Sequence, residues 1–186
     1  MRYQTISFII PTLGRDSLNK TLSSIECWPG DEILMIKHNP PSGHWGNEER
    51  QEGTDKAKCD YLAYIDDDDA YVPGARKIMD SAINENHGRP ILFKIQYPSG
   101  RIIWRKKWVK NGNVSTQMIL VPNAREMLYR WDKTHQWADF WFIHRWRWPS
   151  KAIVWREEVI ALMGHNDEKY ERGLTFSEAK RAGISV

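Results

Sequence analysis

Short apolar runs alternate with amphipathic stretches through the first half of the chain, and a turn former closes each run. Ile6-Ser7-Phe8-Ile9-Ile10 is almost continuously apolar and stops at Pro11, the pattern of a strand buried on both faces. Asp16 or Ser17 can then cap a helix in which Leu18, Leu22 and Ile25 fall at i, i+4 and i+7. Trp28-Pro29-Gly30-Asp31 stops that helix. Glu32–Ile36 reads as the second strand, closed by Asn39-Pro40-Pro41, and a polar, glycine-bearing stretch leads to a third over Tyr61–Ile65. Pro73 suits the first turn of another helix, with Ile78, Met79, Ala82 and Ile83 on its buried side and Gly88 and Pro90 at its end. This β-α-β-(α)-β-α order predicts an α/β fold, a mostly parallel central sheet with flanking helices.

The pattern changes after residue 97. Ile91–Gln96 and Ile102–Trp104 flank the turn Tyr97-Pro98-Ser99-Gly100 and predict a hairpin. Gln117–Val121 reads as a strand, Ala124–Trp131 as a helix and Ala152–Trp155 as a strand, while the tail beyond Tyr170 is polar with helical character. No linker interrupts the 186 residues, so one domain is expected, with a ligand-binding half to about 97 and a second half from about 98 to 186.

Composition narrows the setting. Cys27 and Cys59 have no metal-type spacing and form no disulfide framework, which points to a reducing compartment. The N-terminus lacks the pattern of a signal peptide, and no apolar segment reaches membrane-spanning length, so a soluble, cytoplasmic protein without a membrane span is expected. The formal charge of +3 is too mild to require a polyanionic partner. Its distribution is uneven: 101–110 holds Arg101, Arg105, Lys106, Lys107 and Lys110 without an acid, whereas 66–69 holds four acids without a base. Most of the ten tryptophans lie between Trp104 and Trp155. In Trp104-Arg105-Lys106-Lys107-Trp108 and Arg145-Trp146-Arg147-Trp148 they interleave with bases, as sugar-, base- or phosphate-binding surfaces do, and equally as a small core with basic residues snorkelling outward does.

Asp66-Asp67-Asp68-Asp69 is the strongest chemical signal. Four adjacent carboxylates repel one another unless something positive sits among them, and they follow an apolar strand at its carboxyl end, where open α/β sheets bind ligands. A hard divalent cation is the natural neutraliser. An EF-hand is excluded, because Tyr71 stands where its glycine is needed and Lys77 where its glutamate is needed.

The segment Tyr64-Ile65-Asp66-Asp67-Asp68-Asp69-Ala70-Tyr71-Val72-Pro73-Gly74 resembles the D-x-D region of family 2 glycosyltransferases. Ser7-Phe8-Ile9-Ile10-Pro11-Thr12-Leu13-Gly14-Arg15 resembles that family's first strand and donor loop, and Glu49-Arg50-Gln51-Glu52-Gly53 is similar to its A-R-N-x-G element. The resemblance covers about residues 1–85 well and the rest thinly. It implies a GT-A-like fold and metal-dependent, inverting transfer of a sugar from a nucleoside-diphosphate donor, UDP-sugar foremost, to an acceptor hydroxyl. Asp68 would ligate Mn2+ or Mg2+, Asp66 would contact the ribose or the metal shell with Asp67 beside it on the donor side, and Asp69 would support the site. Pro11, Thr12 and Arg15 would line the nucleotide pocket. Arg50 would add a bidentate phosphate contact, unless it is a surface ion-pair partner of Glu48, Glu49 and Glu52.

Where the family carries an acid after its second strand, this chain has Lys37-His38-Asn39, leaving His38 as a base contact or a plain loop histidine. Trp137-Ala138-Asp139-Phe140-Trp141 resembles the family's E-D element and makes Asp139 the candidate general base, with Asp132, Glu157 and Glu158 as rivals. His165, in Met163-Gly164-His165-Asn166-Asp167, is either a late metal ligand tilting preference toward manganese or a surface histidine. Two other functions fit parts of the pattern. A sugar-phosphate nucleotidyltransferase would need a longer glycine-rich loop than Pro11–Arg15, and a non-catalytic carbohydrate- or nucleic-acid-binding module would have no use for the aspartate run. The acceptor expected is a glycan or other hydroxyl compound, with nucleic acid as the anionic alternative.

Overall fold

A curled mixed sheet with four helices organises residues 3–164, the part of the chain that the computed structural model describes. The chain order is β1 (Ile6–Pro11), α1 (Leu18–Ser24), β2 (Glu32–Ile36), α2 (Asn47–Lys56), β3 (Tyr61–Tyr64), β4 (Ala70–Tyr71), α3 (Ala75–Glu85), β5 (Ile91–Gln96), β6 (Ile102–Ile103), β7 (Ile119–Pro122), α4 (Ala138–His144) and β8 (Val154–Leu162). In space the strands run β2-β1-β3-β7-β5-β8-β4, with β6 paired to β5. The longer registers are parallel: β1 with β2, β1 with β3, and β5 with β8. The antiparallel pairings, β3–β7, β5–β7, β4–β8 and the β5–β6 hairpin, are shorter.

The apolar runs become strands because both faces of the central sheet are covered. Every residue of β1 and β3 is buried. Leu18 and Leu22 of α1 pack on the core with Ile25, and α3 buries Met79, Ala82 and Ile83, as their spacing predicts. That helix begins at Ala75 behind a Gly74 cap, so Pro73 lies just ahead of it. Beneath the amino end of α3, Arg76 is buried with Asp31, its Nε donating at 2.7 Å and its Nη2 at 3.2 Å, and its guanidinium lies 4.2 Å from the Trp28 ring centre.

Three second-half expectations are corrected. Residues 124–131 form no helix. Met127 N and Leu128 N close three-residue turns onto Ala124 and Arg125, and Met127 O accepts from Arg147 N instead of a following helical N–H. Trp131 N donates to Gln51 Oε1, which ties the end of this segment to α2. The strand expected from Gln117 begins at Ile119, because Thr116–Met118 is a single 3₁₀ turn. The strand expected over 152–155 runs from Val154 to Leu162, continuing through Arg156-Glu157-Glu158 because cross-partners hold those charges: Glu85 for Arg156 and Lys94 for Glu157. Among the described residues no helix is long and apolar enough to cross a membrane.

Candidate active site

β1 and β3 are parallel neighbours with Ile9 opposite Tyr64, so their carboxyl ends release Pro11–Arg15 and Asp66–Asp69 at the same edge of the sheet. Asp67 turns away from the other acids. Its buried Oδ2 accepts from Thr12 Oγ1 at 2.7 Å and Leu13 N at 3.0 Å, and Thr12 Oγ1 accepts Gly14 N at 2.8 Å. The donor-side loop is therefore folded onto one carboxylate. It delivers Arg15, whose Nη1 lies 2.7 Å from Asp68 Oδ2 and 3.6 Å from Asp67 Oδ1.

The remaining three acids converge. Asp66, Asp68 and Asp69 each offer an oxygen, all within 4.8 Å of one another. Oxygens on opposite sides of a divalent ion with bonds of about 2.1–2.6 Å would be about 4–5 Å apart, so the cluster fits one hard cation. Asp69 N closes a turn onto Asp66 O at 3.2 Å, and α1 holds that turn through Thr21 Oγ1, 2.7 Å from Asp69 O. Burial, with repulsion from Asp66, pushes the Asp68 carboxyl up to about 6 against the pull of Arg15. Burial and the charges of Asp68 and Asp66 raise Asp69 as well. A positive partner joining such carboxyls favours their ionised forms and lowers them again.

α2 supplies Arg50, whose Nη2 donates to Asp66 Oδ1. Its Nη1 donates to Trp45 O at 2.7 Å and Asn47 Oδ1 at 3.1 Å, and its guanidinium lies 5.4 Å from the Trp131 ring centre. Arg50 is buried, so it is not a surface partner of Glu48, Glu49 and Glu52. Those acids serve others: Glu49 and Glu52 flank His38 at 3.3 and 2.7 Å, and the Glu52 hydrogen bond raises the His38 ring above its ordinary value. His38 thus lies against α2, held between two of its acids.

Asp139 lies in the first turn of α4, where Oδ1 accepts Phe140 N at 2.7 Å. Burial pushes its carboxyl up to about 6; Arg50 lowers it and Asp66 raises it, so the field of the aspartate cluster reaches it. Its rivals are engaged elsewhere. Asp132 accepts Thr134 N and Oγ1 and is lowered by them, Glu158 is lowered by Arg156, and Glu157 pairs with Lys94 at 2.6 Å. His165 lies outside the described residues, as does the tail beyond Tyr170. The neighbouring Gly164 N donates to Asp69 Oδ1 at 2.6 Å.

Sequence reasoning missed Gln117 as a site residue. Its buried Nε2 donates to Asp66 Oδ2 at 2.9 Å and Asp69 Oδ2 at 2.5 Å, while Oε1 accepts Ser115 Oγ at 2.8 Å. A lone amide heading the apolar run Met118–Val121 was the available signal. The two basic-aromatic segments separate. Trp146 enters the core and Arg145 stacks on Tyr129 and Trp141, at 4.8 and 4.7 Å, whereas residues 105–108 are exposed.

No protein-family model and no curated protein sequence matches this chain. Solved structures do. Crystal structures of S. aureus TarS 1–349, a GT-A-type glycosyltransferase, superpose with a TM-score of 0.68 at 14% identity, covering 90% of this chain and 62% of that one. TarS 1–349 in complex with UDP matches with a TM-score of 0.68 at 14% identity, over 85% of this chain and 60% of that one. The complex with UDP-GlcNAc gives 0.69 at 13% identity, over 85% and 58%. The chain spans about three fifths of the TarS 1–349 chains it matches. Its fold is the GT-A-type glycosyltransferase fold.

Proposed function

We propose that this chain transfers a sugar from a nucleoside-diphosphate donor, a UDP-sugar foremost, to an acceptor hydroxyl. The observation that carries the reading is the convergence of Asp66, Asp68 and Asp69 at the carboxyl ends of β1 and β3, with Arg15 and Arg50 beside them. The TarS complexes with UDP and UDP-GlcNAc support the choice of donor. Asp68, with Asp66 and Asp69, would hold Mn2+ or Mg2+; such an ion neutralises charge on the leaving diphosphate as a Lewis acid.

The chain's own residues supply the rest. Arg15 and Arg50, which hold Asp68 and Asp66 here, are placed to exchange a carboxylate for a phosphate oxygen. Gln117 keeps two of the carboxylates aimed at one point. Asp139, raised by burial toward neutrality, takes the acceptor proton as general base. The acceptor oxygen then bonds to the anomeric carbon, the bond from that carbon to the diphosphate oxygen breaks, and its electron pair leaves with the diphosphate. One base and one displacement invert the anomeric centre. In this reading residues to about 97 serve the donor, and the described residues beyond it, 98–164, serve the acceptor. The free cysteines, Cys27 and Cys59, agree with a cytoplasmic setting.

Release of nucleoside diphosphate from a panel of nucleotide sugars, with Mn2+, with Mg2+ and with chelator, tests this reading. Metal-dependent turnover of one donor is expected. Turnover of none, or turnover indifferent to chelator, overturns it.

A further inference from the structure

The segment from Arg105 to Lys110 carries four bases and no acid, and the transfer chemistry uses none of them. Asn113 shapes it from within. The buried amide accepts Arg105 N at 2.9 Å and donates to Lys106 O at 2.7 Å and Trp108 O at 2.8 Å, while Asn113 N donates to Lys110 O at 3.0 Å. Buried Trp104 and Val114 anchor the two ends. A loop closed on one amide holds its outward side chains ready, which reduces the ordering cost of binding.

Those outward side chains are Arg105, Lys106, Lys107 and Lys110, all exposed, around a Trp108 that is 49% exposed. The Lys106 and Lys110 ammoniums lie 5.6 and 5.0 Å from the Trp108 ring centre. Among the described residues Arg105, Lys106 and Lys110 make no ion pair. Lys107 has Glu157 at 3.9 Å, and Lys94 already holds that carboxylate at 2.6 Å. Like charges held together on a shaped loop repel, and an anionic ligand relieves them.

Both ends of the loop lead to the aspartate cluster. Ile102 pairs with Gln96, whose carbonyl accepts Met163 N at 2.8 Å, and the next residue, Gly164, donates to Asp69. On the other side the chain reaches Gln117, which donates to Asp66 and Asp69.

We propose that this loop docks the acceptor and that the acceptor is single-stranded nucleic acid, with phosphates on Arg105, Lys106 and Lys110 and a base stacked on Trp108. Calling the ligand an acceptor rests on the sugar-transfer reading; the binding itself does not. Cations beside an exposed indole match the pairing of backbone charge and base faces in a single strand. A duplex keeps its base faces covered, and a neutral glycan leaves the cations idle.

Fluorescence anisotropy of a labelled oligothymidylate of about 20 nucleotides, longer than a single-domain footprint, tests the proposal on the whole protein. Three phosphate contacts predict affinity about 20-fold weaker at 200 mM than at 50 mM salt. Trp108→Ala should weaken binding about tenfold with the salt slope unchanged, and Lys106→Ala with Lys110→Ala should flatten the slope, both with wild-type melting curves. No binding at the lower salt overturns the proposal. So does tighter binding of a duplex, or competition by inorganic polyphosphate together with indifference to Trp108→Ala. UDP binding in Mn2+, measured in parallel, keeps the two readings apart. If UDP binds and the oligonucleotide does not, docking fails alone; if the oligonucleotide binds and UDP does not, transfer fails alone.

Discussion

Replacing Gly53 by alanine sets two effects of known size against each other. Gly53 lies in α2 against β1, and an added Cβ would fall well inside 3.0 Å of Ile9 Cγ2 and 3.4 Å from Ile36 Cγ1. Alanine gains about 1 kcal/mol of helix propensity over glycine. Against that, the methyl it meets belongs to a β-branched residue, stiff at χ1, on a fully buried strand between two neighbours. Relief requires twisting Ile9 off its rotamer or lifting α2, and overpacking of this kind costs about 1–3 kcal/mol. The closeness of the approach puts the cost in the upper part of that range. The net expectation is a loss of about 1–2 kcal/mol, or roughly 2–8 °C in Tm for a chain of this size. Thermal and urea denaturation read this directly. Since α2 also carries Arg50 to Asp66, UDP affinity should fall with it. A variant as stable as wild type, or more so, would refute the steric reasoning.

Three further outcomes follow from the same geometry. Asp139→Asn should slow transfer by about a hundredfold or more with UDP affinity nearly unchanged; in wild type, kcat/KM should rise about tenfold per pH unit toward pH 6 and level off above it, because the base works only when deprotonated. Carboxyls raised in the folded state, Asp68 and Asp69, stabilise the metal-free protein most below their unfolded values near 4 and lose that contribution as pH rises through the folded ones. Manganese should reverse the trend, raising Tm at pH 8, by about 2.7 kcal/mol of stability at a hundredfold excess over Kd, and much less at pH 5, as differential scanning calorimetry would read. Arg76→Met leaves Asp31 buried without its cation and should cost about 3–5 kcal/mol in urea unfolding, with Asp31→Asn in the same chain recovering part of it.

The first half was legible because its strands are apolar runs ended by proline or aspartate, and because the aspartate run declares its own need for charge. What stayed hidden has physical causes. The inward side of α2 is polar, with Asn47, Glu49, Arg50 and Thr54 buried against separate polar partners, Asp66 for Arg50 and the Tyr64 hydroxyl for Thr54, so no apolar stripe announced a helix. Residues 124–131 are good helix formers, but the chain there must seat Trp131, stacked 4.1 Å from Phe142 and edge-on to Tyr64, under the Arg50 guanidinium. Tertiary packing overrode propensity. The apolar pattern stops β8 at Trp155 because three charged residues follow; Arg156 and Glu157 find partners in Glu85 and Lys94, far upstream, and Glu158 pairs with Arg156. Gln117 is invisible for the same reason: its partners are about fifty residues upstream.

Titration calorimetry of UDP into the protein, with Mn2+, with chelator, and with Mn2+ for Asp68→Asn, tests the central claim most directly. The account predicts saturable binding to the wild-type protein in Mn2+, and at least about tenfold weaker binding, 1.4 kcal/mol or more, when either the ion or the Asp68 carboxylate is removed. Equal affinity in all three titrations would contradict it.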